Sequence, residues 1–439
     1  MVLQLNPLVN TKTGHAAPKW FRLDNAAKIY PVVAGPQNGH VFRISMTLTE
    51  DIDPKLLQQA VFDLKPRFPT FYVRMRRGFF WYYYEKNERT LEVKPEPPFM
   101  CKSIDFFANN GYQFSCYYHK KRISVEVFHS ICDGNGALEY TKSLVYRYLE
   151  LKGYPMESEN MVLTVDQSPS AEEMEDSFLK NYKEGPSTRP VVNKAYEIKG
   201  TPFIQGGTGV ITGKMSVEEL KKVAKDYNAT VTQFLAALLA YSILKTGDRK
   251  RLARRPVNIF IPVNMRKYFN SKTLRNFSLY FYSIHKYKDD SIEFKEILEK
   301  TKQDFEEKLN LAHLLETMKA NVAAEKNLAV RGSPLFVKKL LLKAGYSMFA
   351  NRLATATITN LGNVVLPSSM SKYVEDVELN LGARYKSGPN AAVVSCKGVA
   401  SVAFSRGIKE KEVEKTFFRF LSEQGIKVEI QGNYWEKYF

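Results

Sequence analysis

Along this chain the apolar positions change period in a regular order, and each change marks the edge of an element. Val41 to Thr49 reads as a strand. Asp53-Pro54 then opens a helix with Pro at its first position, and Leu56, Leu57, Ala60, Val61 and Leu64 recur on its inward side. Phe71 to Arg76 and Phe79 to Glu85 flank Arg77-Gly78, which predicts a hairpin. Tyr112 to Tyr118 and Arg122 to Phe128 form a second antiparallel pair, joined at the basic turn around Lys120-Lys121. In the latter run Ile123, Val125 and Val127 alternate with Ser124, Glu126 and Phe128, the period of a half-buried strand. A helix follows over Asn135 to Lys152, with Leu138, Leu144, Val145, Tyr148 and Leu149 on one face and a stop at Gly153-Tyr154-Pro155.

Residues 154–200 break this pattern. Pro155, the Ser168-Pro169-Ser170 cluster, the acidic run Glu172-Glu173-Met174-Glu175-Asp176 and Gly185-Pro186-Ser187 mark a connecting segment. Beyond it Ser216-Val217-Glu218-Glu219 and Thr230-Val231-Thr232-Gln233 are two capping boxes, each opening an apolar-periodic helix. Pro256 to Val263 and Phe277 to His285 read as strands, and residues 291–327 as helical. Thr355 to Thr359 predicts a strand followed by a turn at Asn360-Leu361-Gly362-Asn363. Ala391 to Ser395 and Ala400 to Ser405 pair across Gly398, and a helix starts near Glu410. Two halves of this kind fit an α+β fold better than alternating βαβ units. The expected division is a first lobe over 1–153, a connection over 154–200 and a second lobe over 201–439.

Composition narrows the function classes. A chain of 439 residues exceeds what one hydrophobic core supports, which agrees with two lobes. The 25 Tyr and 28 Phe fill large cores and can also line tunnels for apolar ligands. Cys101, Cys116, Cys132 and Cys396 show no C-x-x-C spacing, so no metal site is expected. The start, Met1 to Pro7, lacks the features of a signal peptide, and no apolar run is long enough to span a membrane. A cytoplasmic protein with free thiols is the expectation. The net charge of +18 suits an anionic partner: a phosphate-bearing cofactor, an acidic carrier protein or a membrane surface. Nucleic acid is disfavoured, because no basic helix, zinc module or RNP-type motif accompanies the charge.

One motif carries chemistry. His129 falls where the strand ending at Phe128 stops, ahead of a tight stretch that leads into a helix. A residue there can project into a cleft while the sheet fixes its backbone. Its imidazole can take a proton from a hydroxyl or amine and return it to a leaving group. Asp133 can turn back to pin the loop, and Gly134 allows a sharp turn into the helix. Other candidates have plainer readings. Cys132 lacks a positioned base and reads as a packed thiol. His119 sits at a basic hairpin turn, His285 ends an apolar strand, and Arg74, Arg76 and Arg77 read as a solvent face. Gly206, Gly207 and Gly209 lack a phosphate-loop Lys and read as a loop.

His129-Ser130-Ile131-Cys132-Asp133-Gly134 resembles the H-x-x-x-D-G motif of the CoA-dependent acyltransferase superfamily. That group includes chloramphenicol acetyltransferases, condensation domains of peptide synthetases and alcohol acetyltransferases. The stretch from Trp20 to Pro31 (WFRLDNAAKIYP) resembles the opening of bacterial proteins of the alcohol acetyltransferase type. Ile261 to Arg266, then Arg275-Asn276-Phe277-Ser278, is similar to a second-lobe stretch of condensation domains. Thr359-Asn360-Leu361-Gly362 is similar to the S-N-L-G turn of the alcohol acetyltransferases.

The resemblance implies two chloramphenicol-acetyltransferase-like lobes, each a mixed sheet with flanking helices, and a channel between them. His129 would be the general base, with acyl-CoA arriving as co-substrate from one side and a small hydroxylated acceptor from the other. No permanently bound cofactor is implied. Asp133 would orient the loop through an ion pair with Arg266. Asn276, Ser278, Thr359, Asn360 and Gly362 are the channel and oxyanion candidates. Condensation domains often carry two consecutive His, whereas Phe128 precedes His129 here, which leans toward O-acyl transfer. No D-F-G-W-G sequence is present, so the plant branch fits poorly. The rival readings are a free-standing condensation-type enzyme using a carrier-protein thioester and a non-catalytic binding protein on the same fold.

Overall fold

Alternation in Arg122–Phe128 turns Ile123, Val125 and Val127 to one side, and that side is the core of the first lobe. The computed structural model describes residues 20–35, 38–185, 192–203, 207–287, 289, 291–348 and 353–433. Met1 to Pro7, Pro186-Ser187 and Gln205-Gly206, named above, lie outside them. The first sheet has five strands in the order Val374–Leu381, Val41–Leu48, Arg122–Phe128, Phe114–His119, Val93–Pro95. Helices Pro54–Asp63 and Gly134–Leu151 pack on its apolar face, with Leu57, Ala60, Val61, Leu144 and Val145 in the same core as Ile44 and Val125. On the opposite face Arg43 and Glu126, cross-strand partners, form a buried ion pair at 2.6 Å that Glu96 joins. A small sheet of Trp20–Arg22, Tyr82–Lys86 and Val73–Arg77 flanks this lobe.

The second lobe is built on seven strands in the order Ser278–His285, Val257–Asn264, Ala356–Val364, Asn390–Cys396, Val399–Arg406, Gly209–Ser216, Glu429–Gly432. Its pairings are mixed, parallel where Ala356–Val364 meets Val257–Asn264 and Asn390–Cys396, antiparallel elsewhere. Val231–Thr246 is its central buried helix, opened by a reciprocal capping box between Thr230 and Gln233. At Ser216 the cap is one-sided: the hydroxyl accepts from Glu219 N–H.

Several expectations need correction. The second lobe does not own everything past 201, because Val374–Leu381 crosses over and pairs antiparallel with Val41–Leu48. Val374, Val377 and Leu379 belong to the first lobe's core, and the crossing strand covers an otherwise open sheet edge. Asn360 to Asn363 is no turn after a strand; Ala356–Val364 runs through it with a register irregularity between Asn360 and Asn363. Residues 291–327 split into Phe294–Lys308 and Leu311–Lys326, because Asn310 caps the second helix through His313 N–H. Gly209 begins a strand and is no loop residue, whereas Gly207 lies outside regular structure. The acidic connection is a clasp. Arg67 grips Glu173 through two hydrogen bonds of 2.6 and 3.0 Å, and the Glu173 carbonyl accepts from Leu274 N–H at 2.8 Å. No single helix among the described residues is long and apolar enough to cross a membrane.

Candidate active site

His129 is the first residue past its strand, and its N–H donates to the His40 carbonyl at 3.0 Å. The imidazole stacks on Tyr30, ring centres 4.8 Å apart, and meets Phe42 at 5.1 Å. Nδ1 lies 3.0 Å from Asn276 Oδ1, across the lobe boundary. The amide's other end fixes this orientation, since Asn276 Nδ2 donates to Asp24 Oδ2 at 3.3 Å and to the Ser130 carbonyl at 3.4 Å. An amide oxygen can only accept, so Nδ1 carries the proton and Nε2 keeps its lone pair. Burial holds the imidazole pKa below its ordinary value, against the opposing pull of the Asp133 charge and the Asn276 hydrogen bond.

Asp24 extends this chain. It is fully buried, accepts from Ala27 N–H at 2.7 Å and Asn276 N–H at 3.4 Å, and faces Arg275 Nε at 3.6 Å. The N-terminal segment therefore supports Asn276, which in turn holds His129. Asp24 and Tyr30 carry no signal of their own in the sequence, although both lie within the Trp20 to Pro31 stretch. That resemblance was the available signal.

Asp133 does two jobs with one carboxylate. As N-cap of Gly134–Leu151 it accepts from Gly136 N–H at 3.2 Å. It also binds Arg266 bidentately, with Nη1 to Oδ2 at 2.8 Å and Nη2 to Oδ1 at 3.1 Å. Phe277 N–H and the Ser278 hydroxyl donate to Oδ2, both at 2.9 Å. Burial pushes this carboxyl up, but Arg266 and the N–H donors outweigh it and hold it below the usual carboxylate range. Arg266 spends its remaining donors on the carbonyls of Thr273 and Arg275 and on Asn264 Oδ1.

These bonds revise the oxyanion candidates. The Asn276 N–H₂ is committed to Asp24 and Ser130, and the Ser278 hydroxyl to Asp133. Thr359 pairs within the second sheet, opposite Ala392. Asn360 donates to Thr232 Oγ1 and accepts from Gly362 N–H, both at 2.9 Å. Gly362 has φ of 85°, the left-handed region that favours glycine. What reaches the His129 loop from this strand is Leu361: a Cβ placed on Gly134 would meet its Cδ1 at 3.3 Å. Gly134 itself is no turn residue. It is the first residue of the helix and has no positive φ. The glycine that matters sterically is Gly136, where a Cβ would come within 2.0 Å of the Leu274 carbonyl oxygen.

The other candidates have these surroundings. Cys132 is buried, and burial pushes its thiol well above the ordinary range. Arg74 and Arg76 both pair with Glu85, at 2.7 and 2.8 Å. His285 is buried beside Ser283 Oγ at 2.9 Å. Among the described residues no group of three or more His, Cys, Asp or Glu side chains could hold a metal ion.

Residues 210–384 match the alcohol acetyltransferase family. Over almost the whole chain the fold superposes on Fusarium sporotrichioides TRI101 solved with coenzyme A and T-2, with a TM-score of 0.60 at 12% identity, covering 93% of this chain and 99% of that one. In fold the chain is similar to two-lobed acetyltransferases and condensation domains, and residues 210–384 resemble the alcohol acetyltransferase family. The fold is also similar to that of the trichothecene 15-O-acetyltransferase TRI3 of the same fungus (TM-score 0.56, 12% identity, 96% and 98% covered). It is also shared with the starter condensation domain of rhizomide synthetase, solved with C8-CoA and Leu-SNAC (TM-score 0.56, 12% identity, 92% and 94% covered). No curated protein matches the sequence.

Proposed function

We propose that this chain is an acyl-CoA-dependent O-acyltransferase in which His129 is the general base. The observation that carries the reading is the tautomer: Nδ1–H donates a hydrogen bond to Asn276 Oδ1, which leaves the Nε2 lone pair free to act as a base. His129 Nε2 accepts the proton of an acceptor hydroxyl as that oxygen attacks the thioester carbonyl. The tetrahedral adduct collapses, the C–S bond breaks, and the CoA thiolate takes the proton back from His129. Ester and free CoA leave, and the imidazole returns to its starting state. Asp133 and Arg266 position the loop from the far side and touch neither substrate. With Asn276, Ser278 and the Gly362 N–H committed elsewhere, the backbone N–H of Leu361 is the oxyanion candidate we retain. Similar folds solved with coenzyme A, together with T-2 as a second small molecule, support a CoA donor and a small-molecule acceptor.

The test is release of free thiol from a panel of acyl-CoAs with alcohols and amines, by wild type and His129→Ala. Alcohol-dependent release is expected, with a loss of at least about 10²-fold in a folded His129→Ala protein, the lower end of general base catalysis. Near wild-type turnover in that variant would remove His129 from the mechanism. Turnover with amines alone would move the reading to the condensation branch.

A further inference from the structure

Large apolar side chains crowd one part of the surface outside the candidate active site. Phe79 and Phe80, at the tip beyond Val73–Arg77, are 71% and 49% exposed. Leu328 on Leu328–Gly332 is 82% exposed, and on the helix Leu335–Met348 Phe336, Leu340 and Leu341 are all well over half exposed. Backbone bonds join the hairpin tip to the helix. Leu335 N–H donates to the Phe79 carbonyl at 2.8 Å, and Lys338 Nζ to the Phe80 carbonyl at 3.0 Å. Helical spacing puts Phe336, Val337, Leu340 and Leu341 on one outward arc, with Leu335 and Lys338 buried on the other side. Lys339 and Lys343 stand at the margin of that arc.

The charge around this arc has one sign. From residue 326 to 374 the sequence contains no Asp or Glu, while Arg331, Lys339 and Lys343 fall in its first part; Lys338 is buried, and Lys326 pairs with Glu184 at 3.6 Å. Nearby Glu85 is already held by Arg74 and Arg76. A contiguous exposed apolar patch marks an interaction surface, and a helix with an apolar stripe edged by lysines has the composition of one lying in a bilayer interface. A second copy of the chain is a poor occupant, since a self-complementary contact would set these cations against themselves.

We infer that this face binds the surface of an anionic bilayer. Phe79, Phe80, Phe336, Leu340 and Leu341 enter the headgroup boundary, and Arg331, Lys339 and Lys343 meet lipid phosphates. The helix Tyr30–Val33 packs on Leu335–Met348, and Tyr30 stacks on His129, so the bound face lies one helix from the imidazole. The inference stands on this surface and does not require the acyl-transfer reading.

The test is co-sedimentation of the full chain with phosphatidylcholine vesicles, with and without about a third phosphatidylglycerol. Binding to the anionic vesicles is expected, weakening as salt rises. Leu340→Glu and Phe79→Ser should each bind at least about tenfold more weakly while melting like wild type, and Lys339→Glu with Lys343→Glu should lose the preference for anionic lipid. Four results would each overturn the inference: no sedimentation with anionic vesicles, equal binding to neutral ones, folded variants that bind like wild type, or a Leu340→Glu change that only converts a dimer to a monomer.

Discussion

A neutral imidazole has one nitrogen to give and one to receive, and at His129 a neighbouring amide makes that choice. Asn276 is locked by Asp24 and Ser130, so its oxygen and not its nitrogen meets Nδ1. If His129 is the base, kcat/KM should fall on the acid side with a midpoint below about 6.5, because burial holds the imidazole below its ordinary value. Protonation removes the base, so activity is present above that midpoint and lost beneath it. Asn276→Asp puts a carboxylate against Nδ1–H, favours the imidazolium, and should move the acid limb up by roughly one unit. Asn276→Ala removes a bond that favours the protonated form and should move the limb down while lowering kcat. The measurement is a pH profile of kcat/KM for all three proteins. Identical acid limbs would show that Asn276 does not set the imidazole's state.

Helix and strand seams hold these residues in place, and one of them has an unusual steric demand. Gly→Ala inside a helix ordinarily stabilises by about 1 kcal/mol. At Gly136 the added methyl would run into the Leu274 carbonyl and Cys132 Cβ, in a place where the second lobe's loop is seated in the first lobe's core. Gly136→Ala should therefore lower the melting temperature, with a cost of about 1–3 kcal/mol for overpacking. A raised melting temperature would mean the seam has slack. A second seam responds to pH. Between Ser278–His285 and Phe294–Lys308, burial pushes His285 down to about 4, with Asp304 opposing and Lys300 and Lys308 assisting. The folded state thus binds this proton less readily than the unfolded chain does. The resulting stabilisation is complete above about 6.5 and is lost progressively as pH falls toward 4, to the order of 3 kcal/mol. His40, pushed to about 3, acts in the same direction. Thermal melts from neutral to acid pH should show this decline, and His285→Gln should flatten part of it. An unchanged slope in that variant would assign the acid sensitivity elsewhere.

Across the whole molecule, the two lobes are joined by charge as well as by chain. Asp133 of the first lobe and Arg266 of the second have side chains 4% and 9% exposed, and Phe277, Ser278 and Gly136 complete the carboxylate's shell. Removing one partner leaves an unpaired buried charge, which costs about 3–5 kcal/mol. Asp133→Ala and Arg266→Ala should each destabilise by amounts of that order, and the double variant by clearly less than their sum. Denaturant unfolding of the four proteins checks this, with strict additivity excluding the pair as a unit. The crossing strand Val374–Leu381 and the Arg67–Glu173 clasp tie the lobes at further points, so single substitutions at this latch should loosen the molecule without separating it.

Local pattern by itself determined much of this protein. Alternation in Arg122–Phe128, the Asp53-Pro54 start, the Thr230–Gln233 box and the pairing across Gly398 depend on neighbours a few residues apart, and all are present in the fold, although Arg122–Phe128 is buried on both faces and not on one. The Asp133–Arg266 contact was also legible, through the resemblance of His129 to Gly134 and of Ile261 to Arg266 to stretches of the acyltransferase superfamily. Only the tertiary structure decided the rest. That Asn276 serves His129 and Ser278 serves Asp133 depends on which donors a distant carboxylate collects. Asp24 reaches Asn276 from 252 residues away. Gly136 is required by a carbonyl from the other lobe, and Val374–Leu381 finds its place in the first sheet by joining a core built from residues more than 200 positions earlier. Hydrogen-bond capacity and close packing are satisfied in space, and a period read along the chain carries no record of which distant group arrives to satisfy them.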